Sequence, residues 1–307
     1  MGSTTLPRLT TGGHEIDTSA ENFGWLRDSS DAASDFEELG RRMDADGYLF
    51  IPGFFPREDV RAVRLKICEV LAGEGLLDPD EDIEKALARP GMELYFRPDI
   101  ANGPAKPVLD KVIYGSKIMD FYTQLLRGEA THYDFTWLRT IAPGKGTYPH
   151  CDVVYMGRGT HEVYTAWVPL GDVPLNVGGL IVLEGSHKNT PSLEEYRHMD
   201  VDTACQNIPG SSQTDAAGRP YFGAIGDNTP SLRQELGCRL LTCPEFKMGD
   251  LLTFNVYTVH GSLDNQSTEI RMSSDSRYQL ESLLIDERWV GENPPGHGGK
   301  MIREMIC

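Results

Sequence analysis

The sequence predicts a β-barrel or sandwich buttressed by helices from its N-terminal part. Two observations carry this. From Asp35 to about residue 127 apolar residues recur at helical spacing, whereas after Gly128 short β-type runs alternate with Gly/Pro punctuation. A third observation bounds the size. The chain has 307 residues, 39% hydrophobic and 24% charged, an ordinary globular composition that fits one large domain or two small ones.

Taken in order, residues 1–33 are polar, Ser/Thr/Gly-rich and aperiodic, and are expected to form a flexible N-terminal arm or a peripheral wrap. Residues 34–307 are expected to make a single domain. The pattern from Asp35 to Asp46 reads as a helix ending near Gly47, followed by a short strand 48–51 closed by Pro52-Gly53. Pro56 opens a second helix with Val60, Val63, Ile67 and Leu71 on one face. Residues 79–89 read as a short acidic helix and 108–127 as a longer one. Strands are expected over 133–141, 153–155, 163–170, 180–183, 239–242, 251–254 and 270–278. A Gly/Ser/Asn/Asp-rich stretch at about 198–236 interrupts them as a lid-like insertion.

Charge excludes some functions. Lys and Arg total 29 against 46 Asp and Glu, a net charge of −17, so no basic face for nucleic acid or anionic membranes is expected. The six cysteines form no C-x-x-C pair, and a disulfide scaffold is not expected in so long a chain. The N-terminal segment has no apolar h-region and no run approaches 18 apolar residues, so a cytoplasmic protein is expected. H-E-x-x-H, P-loop and G-x-S-x-G motifs do not occur, which leaves zincins, Walker-A NTPases and serine hydrolases unsupported.

The most informative tripeptide is His150-Cys151-Asp152. On a strand, positions i and i+2 face one side, so His150 and Asp152 can address one ion while Cys151 points away. Alone this is a weak signal. Far downstream, after Lys247-Met248-Gly249-Asp250, comes His260, which completes a 2-His-1-carboxylate set of the non-haem Fe(II) oxygenase type. Such a triad leaves adjacent positions for a bidentate 2-oxo acid and O2.

The chain resembles the phytanoyl-CoA dioxygenase family of Fe(II)/2-oxoglutarate-dependent oxygenases from about residue 48 to about 278. Beyond the His-x-Asp and the distal His260-Gly261-Ser262, the shared motifs are Thr165-Ala166-Trp167-Val168-Pro169-Leu170, Asn176-Val177-Gly178-Gly179-Leu180, Gly185-Ser186-His187, Gly249-Asp250 and Arg271-Met272-Ser273. The resemblance implies a double-stranded β-helix, a jelly-roll or cupin-like barrel, supported by N-terminal helices. It implies His150, Asp152 and His260 as iron ligands and catalytic centre. It also implies 2-oxoglutarate as co-substrate, with Arg271 clamping its distal carboxylate and Ser262, Trp167 and Thr165 lining its pocket. A guanidinium fork suits a carboxylate. Cys151 stands where the family often has Gln, and Glu184 precedes Gly185 where Pro is usual.

Each assignment has a plainer competitor. For Arg271 it is a surface ion pair, for Ser262 a turn hydroxyl and for Trp167 a core aromatic. His187, His161 and His132 are expected to be structural rather than ligands. Tyr155, Met156 and Arg158, just after the His-x-Asp, are candidate substrate contacts, as are Asn255 and Tyr257 before His260; a plain surface turn is the competing account. The implied reaction consumes 2-oxoglutarate and O2, releases succinate and CO2, and hydroxylates an unactivated C–H bond. With Asp152 present, hydroxylation, desaturation, epoxidation or rearrangement is favoured over halogenation. The −17 charge counts against the phosphates of an acyl-CoA, so a small metabolite, as in natural-product biosynthesis, ranks first. Fatty acyl-CoA hydroxylation and a catalytically silent binding barrel are the alternatives. A monomer or homodimer is expected.

Overall fold

The computed structural model describes residues 6–92, 94, 96–188, 190–202 and 223–297. Its helical layer begins with α1 (Phe36–Asp46). The Asp35 side chain accepts a hydrogen bond from Glu38 N, and Gly47 closes the helix with its N–H on Met43 O. Gly47 is required there on two counts. Its φ is +78°, and a Cβ would lie 2.4 Å from the His187 ring. Strand β4 (Tyr48–Ile51) follows directly. Helix α2 (Arg57–Gly73) starts after Pro56 and buries Val60, Val63, Ile67 and Leu71. α3 (Pro98–Ala101) is a single turn.

The expected acidic helix over 79–89 shrinks to a 3-10 turn, Ile83–Lys85. The Asp82 side chain takes Glu84 N, Ala86 adopts a left-handed conformation, and Ala88 N bonds Thr268 O. Local carboxylate–backbone bonds and a tertiary partner outcompete the helix. The expected helix over 108–127 divides into α4 (Lys106–Ile113) and α5 (Ser116–Leu125). At Gly115 the chain is extended and so close to the preceding turn that a Cβ would meet Lys111 O at 2.2 Å.

The β part has two facing sheets and a separate two-stranded ribbon. In chain order its strands are β5 (Ala130–His132), β6 (Trp137–Ile141), β7 (Tyr164–Pro169), β8 (Val173–Pro174), β9 (Leu180–Leu183), β10 (Leu240–Thr242), β11 (Glu245–Phe246), β12 (Leu251–Asn255), β13 (His260–Ser262) and β14 (Arg271–Leu280). The larger sheet has the order β4-β12-β7-β14-β5, and β6 also pairs with β14. The smaller sheet runs β13-β9-β10 and is extended by a strand from the N-terminal segment. The Tyr133–Thr136 stretch of the expected strand 133–141 lies between β5 and β6.

Alternation along the larger sheet sorts its two faces. Leu49, Ile51, Leu138, Ala166, Val168, Leu251, Met272 and Tyr278 join the core cluster beneath the helices. Tyr122 of α5 stacks on Tyr278, 4.1 Å between ring centres, and its hydroxyl bonds Thr253 Oγ1 at 2.7 Å. Phe50, Trp167, Leu252 and Phe254 face the other way, toward Leu180, Val182 and Leu241 of the smaller sheet. The space between the sheets is the barrel interior, and the architecture is the double-stranded β-helix that the resemblance implies.

Three segments depart from expectation. Over residues 6–33 the chain is packed as a peripheral wrap rather than a flexible arm, because its few apolar residues find slots. It forms β1 (Thr10–Thr11), β2 (His14–Glu15) and β3 (Phe23–Trp25), buries Leu9, Ile16 and Phe23, and pairs β3 in parallel with β10. The expected strand at 153–155 is instead one helical turn, α6 (Val153–Met156). Tertiary contacts override the β-branched pair, since Val153 N bonds Val256 O and Met156 N bonds Asp152 O. Of the expected insertion at 198–236, residues 203–222 lie outside the described residues. Just before it stands α7 (Glu194–Arg197), and its end forms α8 (Thr229–Leu236).

Candidate metal centre

The first ligand pair is set by backbone hydrogen bonds. His150 N bonds His260 O at 2.9 Å and His260 N bonds His150 O at 3.0 Å, an isolated antiparallel bridge between the His-x-Asp loop and β13. It brings the two rings to 4.2 Å between centres. Immediately after His150 the chain turns helical, and Asp152, at φ −67° and ψ −23°, starts α6. The two residues converge through this turn rather than by strand alternation.

His150, Asp152 and His260 are all buried, with one ligand atom from each within 4.8 Å of the others. Asp152 Oδ1 lies 3.8 Å from both His150 Nε2 and His260 Nε2. The Nδ1 atoms are committed elsewhere, to Tyr148 O at 2.8 Å and Thr258 O at 3.0 Å. A carbonyl only accepts, so each Nδ1 carries the proton and each Nε2 presents a lone pair to the same point. Burial pushes His150 down to about 3, with His260 adding to the effect, and burial lowers His260 as well. Burial works to raise the Asp152 carboxyl, but Arg277 and the two histidines outweigh it and hold it well below the ordinary range. Two neutral imidazoles and one carboxylate within reach of one another fit a divalent transition metal with open positions.

Two side chains grip the far oxygen of Asp152. Arg277 Nη2 donates to Oδ2 at 3.1 Å, and the Thr165 hydroxyl donates to the same atom. Thr165, expected along the co-substrate pocket, therefore touches the carboxylate of Asp152. Arg277 was not recognised from the sequence. The signal was available, because Arg271, Ser273, Asp275 and Arg277 alternate with residues of the helical face, a polar stripe facing a barrel interior.

Arg271 begins β14 and is buried, which excludes the surface ion pair. Trp167 lies on the inner face with its ring 4.8 Å from Phe246, and Trp167 Nε1 and Ser273 Oγ are buried with no hydrogen-bond partner among the described residues. Ser262 Oγ accepts from Thr147 N at 2.8 Å, tying β13 to the loop before His150. Arg139 Nε is paired with Asp275 at 2.6 Å, again inside.

The expected substrate contacts fare unevenly. Tyr155 stands edge-on to His150, 5.5 Å between ring centres. Met156, the last residue of α6, is buried among apolar residues. Arg158 is drawn outward by Asp200 at 2.6 Å and Asp202 at 3.2 Å, so its expected availability to a substrate is corrected. Asn255 Oδ1 holds Tyr257 N and Thr258 Oγ1 and is a turn former. The Tyr257 hydroxyl bonds His161 at the rim. His187 Nε2 bonds Asp44 O, away from the triad, and His132 stacks on Tyr114. Cys151 is buried with Sγ toward Tyr257 O, and burial pushes its thiol up to about 12.

Sequence reasoning also missed the C-terminal stretch that returns over this end of the barrel. Arg288 bonds Asp202, Asp286 and Tyr155 O, and Trp289 packs 4.7 Å from Trp137. Among the described residues no helix is long and apolar enough to cross a membrane.

Comparison with known proteins places these features. The family model of phytanoyl-CoA dioxygenase (PhyH) matches residues 43–273. A 1-deoxypentalenic acid 11-beta-hydroxylase of Streptomyces arenae is 26% identical over 277 residues, spanning 85% of this chain and 87% of the relative. The non-haem α-ketoglutarate-dependent epimerase SnoN from nogalamycin biosynthesis superposes with a TM-score of 0.54 at 17% identity, covering 89% of this chain and 97% of its own. EctD from S. alaskensis gives 0.54 at 18% identity, covering 97% and 92%. Sheet order, the buried His150–Asp152–His260 centre and the matched residues lead to one conclusion: the chain belongs to the phytanoyl-CoA dioxygenase family, the Fe(II)/2-oxoglutarate-dependent dioxygenases.

Proposed function

We propose that this dioxygenase hydroxylates an unactivated C–H bond of a small metabolite in natural-product biosynthesis. The observation that carries the reading is the convergence of His150 Nε2, His260 Nε2 and Asp152 Oδ1 at one buried point. The 1-deoxypentalenic acid hydroxylase relative and the nogalamycin epimerase support the substrate class. Iron with 2-oxoglutarate and O2 supplies the oxidising power, with release of succinate and CO2.

The chain's own residues do the rest. The Nδ1–carbonyl bonds fix both imidazoles in the metal-binding tautomer. Arg277 and Thr165 occupy Asp152 Oδ2, which leaves Oδ1 for the metal. Arg271, on the inner face, anchors the distal carboxylate of 2-oxoglutarate, with Trp167 and Ser262 along its pocket. Trp137, Trp289 and Tyr155 crowd the opposite end and exclude water. Residues 34–307 act as one domain, strapped by the packed 6–33 segment, in the cytoplasm, as a monomer or homodimer.

The test is anaerobic addition of 2-oxoglutarate to the Fe(II)-loaded protein. The expected result is a visible metal-to-ligand charge-transfer band and, with O2 and substrate, stoichiometric succinate. A protein that binds Fe(II) yet gives no band with 2-oxoglutarate refutes the reading.

A further inference from the structure

Beyond the metal carboxylate, the inner wall of the barrel carries a set of buried polar atoms that the reaction core does not use. Arg277 lies on β14 with its guanidinium 3.9 Å over the Trp137 ring. Tyr133 is joined to it through a backbone bond, Tyr133 N to Arg277 O at 3.0 Å. Trp289 closes the same corner against Trp137 and Phe135, at 4.7 and 5.4 Å. Arg277, Tyr133 and Trp289 are each at most 2% exposed.

Their polar atoms lack protein partners. Arg277 Nε and Nη1, Tyr133 Oη and Trp289 Nε1 have no hydrogen-bond partner among the described residues. These four atoms are donors; on the same face of β14, Asp275 Oδ1 and Gln279 Oε1 are acceptors in the same condition. Burial, with Asp286 nearby, pushes the Tyr133 phenol above its ordinary value and keeps it a donor. Buried donors without acceptors cost stability, so such a cluster is explained by a group that arrives with acceptors. Charge narrows the choice. The one acceptor of Arg277 among the described residues is Asp152 Oδ2, and that carboxylate's charge is shared with the metal once one is bound.

We propose that Arg277, Tyr133 and Trp289 form a substrate subsite for a carboxylate, with Trp137 and Phe135 as the apolar wall for the adjoining carbon skeleton. The substrate is then a compact carboxylic acid whose anionic end sits beside Asp152. The inference rests on the iron/2-oxoglutarate reading, because the subsite adjoins Asp152, which that reading makes a metal ligand.

The experiment is a two-step calorimetric titration of the Ni(II)-loaded protein, first with 2-oxoglutarate and then with benzoate or benzyl alcohol, which share a ring and differ in charge. Benzoate is expected to bind at least about tenfold more tightly than the alcohol. Tyr133→Phe and Trp289→Phe, which each remove one donor and keep the ring packing, are expected each to narrow that preference by about threefold or more. No preference for benzoate over the alcohol, or a preference unchanged in both variants, overturns the subsite. Failure of 2-oxoglutarate to bind in the first step counts instead against the dioxygenase reading.

Discussion

Asp152 is placed to serve two masters, and removing it separates them. Its Oδ1 faces the imidazoles, while its Oδ2 takes Arg277 Nη2 at 3.1 Å and the Thr165 hydroxyl. Both members of the Arg277–Asp152 pair have side chains 2% exposed. Breaking a buried pair by deleting one partner strands the other charge, and costs about 3–5 kcal/mol. Asp152→Ala should therefore lose about that much stability even in metal-free protein, besides losing metal binding. Asp152→Ala combined with Arg277→Met leaves no stranded charge and should recover a large share of the loss, because apolar replacement of both partners is often near neutral. Thr165→Val removes one neutral donor and should cost about 1 kcal/mol. The assay is urea unfolding of the metal-free proteins followed by tryptophan fluorescence, analysed by linear extrapolation. If Asp152→Ala unfolds within about 1 kcal/mol of the parent, or if the double variant is no more stable than Asp152→Ala, the carboxylate is not what holds Arg277 in the interior.

Three further outcomes follow from particular contacts. Arg271→Ala should weaken 2-oxoglutarate binding at least about tenfold while changing Ni(II) affinity little, and equal loss of both in calorimetry would make Arg271 structural. Gly47→Ala should destabilise by at least about 1–2 kcal/mol in the same urea assay, since it must hold a left-handed backbone and displace the His187 ring; an unchanged midpoint would remove that constraint. Cys68 is buried, and burial raises its thiol from 9.0 to about 11, which cuts its reactive thiolate at pH 8 by about a hundredfold. Iodoacetamide at pH 8 should leave Cys68 unmodified in native protein and label it in urea, as read by peptide mass spectrometry; rapid native labelling would contradict its place in the core.

What could be read from the chain follows from where the information sits. Strand 48–51 matches residue for residue because Gly47 and Pro52-Gly53 fence it, and the signal is local. The three candidate metal ligands were legible because ordered motifs accompany them, although the geometry assumed for two was not. Val153-Val154-Tyr155 carries β-type side chains, yet the Val153 N bond to Val256 O and the helical turn after Asp152 decide its conformation, and both depend on a distant segment. Arg277 is separated from Asp152 by 125 positions, so its partner was invisible. Arg158 sat at a plausible mouth, but the pull of Asp200 is likewise a tertiary fact. The tail at 281–297 has neither periodicity nor motif, so nothing local announced that Trp289 and Arg288 would close one end of the barrel.

The same separation of scales explains how a chain with net charge −17 can favour an anionic ligand. In the larger sheet the apolar edges of β14, Met272 and Tyr278, turn outward to the helices, and the charged ones turn inward. The interior then holds Arg139, Arg271 and Arg277 against Asp152 and Asp275. The helices α1, α2, α4 and α5 supply a second core on the outside of the sheet, so the β14 side of the interior can be polar while Phe50, Trp167, Leu252 and Phe254 keep the rest apolar. Arg139 is paired with Asp275 and Arg277 with Asp152, so these buried charges are held in opposite-sign pairs. Acidic surface charge is screened by salt within about 8–10 Å, whereas the buried guanidinium groups act at short range and low dielectric. On the proposed readings, a compact dicarboxylate and a compact monocarboxylate would find their partners in such an interior.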